Sequence, residues 1–329
     1  VTAAVLSLGL VGGGVVAAQS DLGREPIALV PDTRTSPPAS WLSGASGDAV
    51  SLGEFGAWRG RPVEIASTWL DNNDAMVDLW ELQPDGGFAN WDLPLDVAIG
   101  ALSDDESWEQ AAKGTYDERW RESLTNLRDL RGSRPGTTYI RFAHEMNGNW
   151  YAWSVDTENQ DAFVQAWIRF RELQQSIFPE AQLVFGVNRE SVGTGMDWRE
   201  FFPGAEHVDV VAVDYYNRNP YVGSAEDWQA SLDETDNWGA PKGLAAHLEF
   251  ARSVGLPLAV PEWSGDAKEG DSPAFVRGMY EFFSAHGGSG AGQVLYEVQF
   301  NEASDDSNWA FYDPYTRMPE SAAAYQELW

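Results

Sequence analysis

The sequence predicts an α/β fold, a closed (β/α)8 TIM barrel in a single domain. Two observations carry that prediction. Short apolar strand candidates alternate with amphipathic helical segments along the chain, which implies a parallel sheet. Eight strand candidates can be laid out, and 329 residues are enough for one barrel of ~250 residues plus an extension. An open doubly wound sheet is the competing arrangement. No Gly-x-Gly-x-x-Gly follows a first strand, so a dinucleotide-binding version lacks support.

Taken in order, residues 1–18 are apolar, uncharged and rich in small side chains. Val16-Ala17-Ala18 before Gln19 has the form of a cleavage site. The segment predicts a secretory signal peptide or an N-terminal anchor. As a membrane span it is marginal, being short and interrupted by glycines. Residues 19–47 are rich in Ser, Pro, Asp and Gly and read as a linker or N-terminal arm, which leaves 48–329 for the barrel. Strands are predicted at 49–52, 63–67, 95–101, 139–143, 183–187, 208–213, 256–260 and 294–298. Helices are predicted at 116–130, where Trp120, Leu124, Leu127 and Leu130 share a face, and at 162–177, where Phe163, Trp167, Phe170 and Leu173 do. Two more are predicted at 243–251 and 273–285.

The formal net charge of -30 argues against nucleic acid or an anionic membrane as a partner. There is no cysteine, hence no disulfide framework and no thiolate metal site. The four histidines lie at no metal-ligand spacing, and neither a metal nor an organic cofactor is expected. Of the 16 tryptophans, Trp91, Trp150, Trp153, Trp198, Trp228, Trp263 and Trp309 sit in polar, loop-like contexts. Sugar platforms and ordinary packing are both open for them.

Chemistry concentrates where the fourth strand ends. Tyr139, Ile140, Phe142 and Ala143 form a buried run broken by Arg141. His144, Glu145 and Asn147 then place three polar side chains together, followed by Gly148, Trp150, Tyr151 and Trp153. A carboxyl at a strand end beside aromatics suits sugar chemistry: the acid can protonate a glycosidic oxygen. The competing structural reading makes Glu145 a buried partner of Arg141. The seventh strand ends in Pro261-Glu262-Trp263, which supplies a second carboxylate across the barrel mouth.

His-Glu-Met-Asn-Gly-x-Trp-Tyr-x-Trp resembles the acid/base strand of glycoside hydrolase family 26, best known for β-mannanases. The resemblance runs from roughly the third strand to the C-terminus. It implies that Glu145 is the acid/base and Glu262 the nucleophile. It also implies that Tyr216, or alternatively Tyr215, hydrogen-bonds the nucleophile, with Asp214 as a supporting or merely buried acid. His144 is expected near sugar hydroxyls, and Arg141 is expected to orient a carboxylate. Trp150, Trp153 and Trp263 are candidate stacking positions. The eighth strand departs from the family, which often ends it with Trp; here Phe300, or Trp309 from the next loop, takes that place.

The resulting expectation is an exported, monomeric retaining β-glycosidase acting on a polysaccharide or oligosaccharide, with endo-β-1,4-mannanase as the first choice. It is expected outside the cell, or on the envelope if residues 1–18 are kept. Mixed-linkage β-1,3-1,4-glucan, xylan or another exopolysaccharide are the alternative substrates. A non-catalytic carbohydrate-binding barrel and a tethered structural envelope protein are the alternatives from other classes.

Overall fold

The computed structural model describes residues 40–72, 74–302 and 309–329. The predicted signal segment and most of the arm therefore lie outside the described residues. Eight parallel strands close on themselves in sequence order: β1 (Leu42–Ser46), β2 (Ile65–Leu70), β3 (Leu95–Ile99), β4 (Thr138–Phe142), β5 (Gln182–Asn188), β6 (Val210–Tyr216), β7 (Leu258–Ser264) and β8 (Val294–Gln299). β1 pairs with both β2 and β8, which completes the (β/α)8 barrel.

Side chains alternate across each strand, so one set points inward and the other meets the helices. Ile65, Tyr139, Val184, Val210, Ala212, Ala259, Tyr296 and Val298 form the apolar floor of the interior. The outward set packs against the helices in one larger core. Phe142 of β4 stacks on Phe170 of the helix Gln160–Ile177 at 3.8 Å, and both meet Trp120 of the helix Asp117–Arg131. The shared face read from the sequence is thus the stripe that each helix packs against the core. Helix starts use side-chain caps: Ser272 accepts from the Phe275 N–H, just before Pro273 opens the helix Pro273–His286. No helix among the described residues is long and apolar enough to cross a membrane.

The first strand departs from expectation. Residues 49–52 fall mostly in a short helix, Asp48–Ser51, and the strand lies upstream in what reads as linker. Its sequence, Leu-Ser-Gly-Ala-Ser, has no β-branched or aromatic side chain and so carries no strand signal. Close packing explains the small residues: a Cβ on Gly44 would stand 1.9 Å from the carbonyl oxygen of Ile65. The barrel begins at Leu42, not at residue 48. The second, sixth and seventh strands also run three or four residues further than predicted; the added residues include Thr68, Asp214, Glu262 and Ser264, polar side chains that break a hydrophobic strand pattern.

Most of the loop-like tryptophans are core. Trp91, Trp153, Trp198, Trp228 and Trp263 are buried, while Trp150 and Trp309 stay partly open. Trp263, expected as a sugar platform, points outward from β7 and is fully enclosed by Phe275, Phe283, Phe311, Tyr325 and Trp329. Its indole N–H donates to Glu297 at 2.5 Å, and Trp329 donates to the same carboxyl at 2.8 Å. Trp263 therefore ties β7 to β8 and to the C-terminal helix Pro319–Leu328.

Gly44→Ala is expected to destabilise the barrel by about 2 kcal/mol or more, since the clashing atom is backbone and cannot rotate away. Urea unfolding of both proteins checks this; an unchanged midpoint refutes the close approach.

Candidate active site

The mouth of the barrel is built where the inward register turns polar. Above the apolar floor, Asp96 (β3), Arg141 (β4), Asp214 (β6) and Glu262 (β7) point inward together. Arg141 is fully buried and donates from Nε to Asp96 at 2.6 Å, and from Nη1 to Glu262 at 2.8 Å and to Asp214 at 3.1 Å. Its planar fork suits such convergent acceptors, each hydrogen bond being charge-assisted. Glu145 takes no part in that fan. Its own carboxyl accepts from Trp150 Nε1 at 3.0 Å and from Asn188 Nδ2 at 2.6 Å. The reading of Glu145 as a partner of Arg141 is thereby set aside.

Local chain geometry presents Glu145. Just past β4, Ala143 and Glu145 both adopt φ 52°, a conformation that side-chain-bearing residues avoid. The turn is held by the Glu145 N–H to the Gly186 carbonyl at 2.9 Å. Asn147, singled out from the motif, is buried and spent on this scaffold. Its amide donates to the Asn188 carbonyl and accepts from the Asn188 N–H, which locks the end of β5 to the turn and aims Asn188 at Glu145.

Glu262 meets three donors: Trp69 Nε1 at 2.6 Å, Arg141 Nη1 at 2.8 Å and Tyr216 OH at 2.9 Å. An ionised carboxylate, which only accepts, satisfies all three. Of the two adjacent tyrosines, Tyr216 reaches Glu262. Tyr215 instead points out of the barrel, fully buried, under Arg189 and parallel to Phe275. Burial and the carboxylates around it push the Tyr216 phenol well above its ordinary range, so it remains a donor.

Aromatic walls flank Glu262. Phe300 lies edge-on to Trp69 at 5.1 Å and to Tyr216 at 5.7 Å, and Trp309 lies edge-on to Tyr216 at 4.7 Å. Both candidates for the missing Trp of the eighth strand are thus present, side by side. Trp153 is not a platform. It is buried, donates to the His144 carbonyl at 2.8 Å and stacks beneath Tyr151 at 4.3 Å. His144 is buried, bonded to the Tyr151 hydroxyl at 3.1 Å, with Asp71 3.7 Å away. Burial, and then the Arg141 charge, hold its pKa well below the usual range, so it stays neutral.

The two glutamates differ electrostatically. Burial, then the charge of Glu262, push the Glu145 carboxyl up to about 7 against the pull of Asn188 and Trp150. Asp71 is pushed up to about 8, first by burial and then by Glu262, although 29% of its side-chain surface stays open to the solvent that damps the rise. Four residues of this site carry no motif in the sequence: Trp69, Asp71, Asp96 and Asn188. Each lies at or beyond a strand end, or mid-strand on the inward face, so a correct register is the signal that finds them.

A closed parallel barrel with two carboxyls at the ends of β4 and β7, one ringed by donors and one pushed up to about 7, is the arrangement of the (β/α)8 glycoside hydrolases. Within that class, residues 115–236, which include Glu145, Asp214 and Tyr216, match the model of glycosyl hydrolase family 26. Among curated proteins, it is 26% identical over 253 residues to mannan endo-1,4-beta-mannosidase A and B of Caldalkalibacillus mannanilyticus, covering 65% of this chain and 47% of that one. It is 26% identical over 195 residues to endoglucanase H of Acetivibrio thermocellus, covering 57% and 20% respectively. It is 30% identical over 125 residues to a mannan endo-1,4-beta-mannosidase of Bacillus subtilis, covering 36% and 34%. The chain thus spans less than half the length of these relatives. Among solved structures, a family 26 β-mannanase from Bacteroides ovatus superposes with a TM-score of 0.60 over 88% of both chains at 15% identity, a likeness of fold.

Stability is expected to fall as pH rises from about 5 to about 8. Asp71 and Glu145 have raised pKa values, so across that window the folded chain binds more protons than the unfolded one, and each unit of pH favours unfolding. Urea midpoints across that range measure the slope, and Asp71→Asn should flatten it. A slope unchanged in the variant would remove Asp71 from the account.

Proposed function

We propose that the chain is an exported retaining β-glycosidase that cleaves a β-linked polysaccharide within the chain, with β-1,4-mannan as the substrate. The observation that carries this is the unlike surroundings of the two glutamates: donors alone around Glu262, burial and a neighbouring negative charge around Glu145. Glu262 attacks the anomeric carbon while the bond to the leaving oxygen breaks, and Glu145 gives that oxygen its proton. Esterification removes the negative charge of Glu262, which lowers the proton affinity of Glu145. Glu145 then accepts a proton from water as that water attacks the anomeric carbon, whose bond to the Glu262 oxygen breaks, which frees Glu262 and the sugar. Tyr216 and Trp69 hold Glu262 by one oxygen each, so its orientation is set before substrate arrives. The named mannan relatives support mannan. Export rests on the apolar segment 1–18, and action as a monomer is part of the same reading.

One observation favours a second substrate, a β-glucan: a relative is named as an endoglucanase, and Phe300 with Trp309 replaces the expected Trp of the eighth strand.

Reducing-sugar release from mannan, glucomannan, mixed-linkage glucan and xylan tests the reading. Release from mannan is expected, and Glu145→Ala and Glu262→Ala should each lower kcat/KM by on the order of 10²–10⁴-fold or more. Release from none, by a chain that still binds a glycan, would replace the enzyme with a binding barrel. kcat/KM is also expected to decline as pH rises through about 7, where Glu145 loses its proton. A pH profile still flat at about 9 would deny Glu145 the role of acid.

A further inference from the structure

One guanidinium inside the barrel faces three carboxyls. Arg141, Asp96 and Asp214 are fully buried, and the Glu262 side chain is nearly so. With all three acids ionised, the cluster would carry two uncompensated negative charges away from water. Buried groups avoid that cost by taking up a proton.

Counting donors shows which acid takes it. Asp96 accepts from Arg141 Nε at 2.6 Å and from Tyr296 OH at 2.6 Å, with the Ser67 hydroxyl 3.4 Å away. Glu262 has its three donors. Asp214 has one: both of its oxygens lean on Arg141 Nη1, at 3.1 and 3.2 Å, and that nitrogen is shared with Glu262. Asp214 and Glu262 are also register partners on neighbouring strands. The carboxyl with the fewest donors thus stands beside the one with the most.

We propose that Asp214 holds a proton in the resting protein and turns it toward Glu262, as the positioning residue that leaves Glu262 the ionised partner of Arg141. This rests on the reading of Glu262 as nucleophile. The groups facing Asp214 are Arg141 from β4, Glu262 from β7, Asp96 from β3 and Glu145 from the turn after β4; only Arg141 opposes protonation. Burial, then Glu262, push the Asp214 carboxyl well above the usual range.

Infrared spectroscopy of the whole protein at about pH 9 tests the proton directly. By then Glu145 and Asp71 have titrated. A carbonyl band of a buried, protonated carboxyl is expected, and its disappearance in Asp214→Asn assigns it. No band in the unaltered protein, or a band that persists in D214N, overturns the proposal, and the first arm needs no variant to fold. In kinetics, Asp214→Ala should cost about 100-fold in kcat/KM, and D214N should recover at least tenfold of that, because an amide N–H can replace the carboxyl O–H as donor to Glu262. Asp96→Asn should recover nothing over Asp96→Ala, since both Asp96 oxygens accept, from Arg141 and from Tyr296, and an amide N–H would face one of those donors. D214N as impaired as D214A overturns the proposal. The infrared result stands whether or not the chain hydrolyses a glycan, so failure of the wider reading is seen separately, in the Glu145 and Glu262 variants.

Discussion

The site depends on one buried cation. Arg141 leaves β4 at mid-strand, points into the barrel and bonds side chains from β3, β6 and β7. Those contacts span half the circumference of the sheet. They fix Glu262 relative to β4, the strand that carries Glu145 four residues later. The acid and its opposing carboxylate are therefore referenced to one strand rather than to two mobile loops. Two long carboxylate side chains could not otherwise be held with the precision that a shared anomeric centre demands. An ordinary barrel fills this level with branched apolar residues. Here the interior gives up that packing for a charged layer, and the apolar floor beneath, closed by the contact of Tyr139 and Tyr296 at 4.6 Å, keeps it dry.

Dryness makes the two glutamates unlike. They share a residue type and stand close enough for each to bear on the other's titration, yet their donors differ in kind. Glu145 receives two neutral N–H groups, from Trp150 and Asn188, which soften the cost of its charge without cancelling it. Glu262 receives a guanidinium as well as an indole and a phenol. That single charged donor is the asymmetry on which the proposed division of roles rests, and such asymmetry is the general way in which one chemical group does two jobs at neutral pH.

Much of this was legible in the sequence, and the parts that were not share a cause. The strand and helix alternation gave the barrel, and the run through His144-Glu145 stood out because polar residues interrupt a buried strand. Glu262 followed from the same logic on the seventh strand. Trp69, Asp96 and Asn188 stayed hidden because the strand candidates stopped too early, or because an inward polar residue in mid-strand looks like a break. The first strand was misplaced because Gly44 and its small neighbours are chosen for close backbone approach, which leaves no hydrophobic signature. Tryptophan misled in the other direction. Trp153 and Trp263 lie next to the site in sequence but sit behind it in space: Trp263 because successive strand residues face opposite ways, and Trp153 because the turn after β4 stacks it beneath Tyr151. Each still serves the site from behind: Trp153 braces the backbone of His144, and Trp263 ties the strand bearing Glu262 to Glu297.

The fold itself leaves specificity open. On the proposed reading, selectivity would reside in side chains above the charged layer rather than in the barrel, since a fold by itself does not fix a function. On one side of Glu262 these are Phe300 and Trp309, joined edge-on through Tyr216. On the other they are Trp150, Tyr151, His144 and Asp71. The first group offers apolar edges and faces, the second hydrogen-bonding groups of which His144 is held neutral and Asp71 is biased toward its protonated form. A sugar spanning both would be read on one side by shape and on the other by the direction of its hydroxyls. Only the second kind of contact separates epimers sharply, because a misplaced hydroxyl leaves a buried polar group unpaired. In the proposed glycosidase, sugar preference would then be set on the His144–Asp71 side, and the aromatic side would set how tightly any pyranose is held.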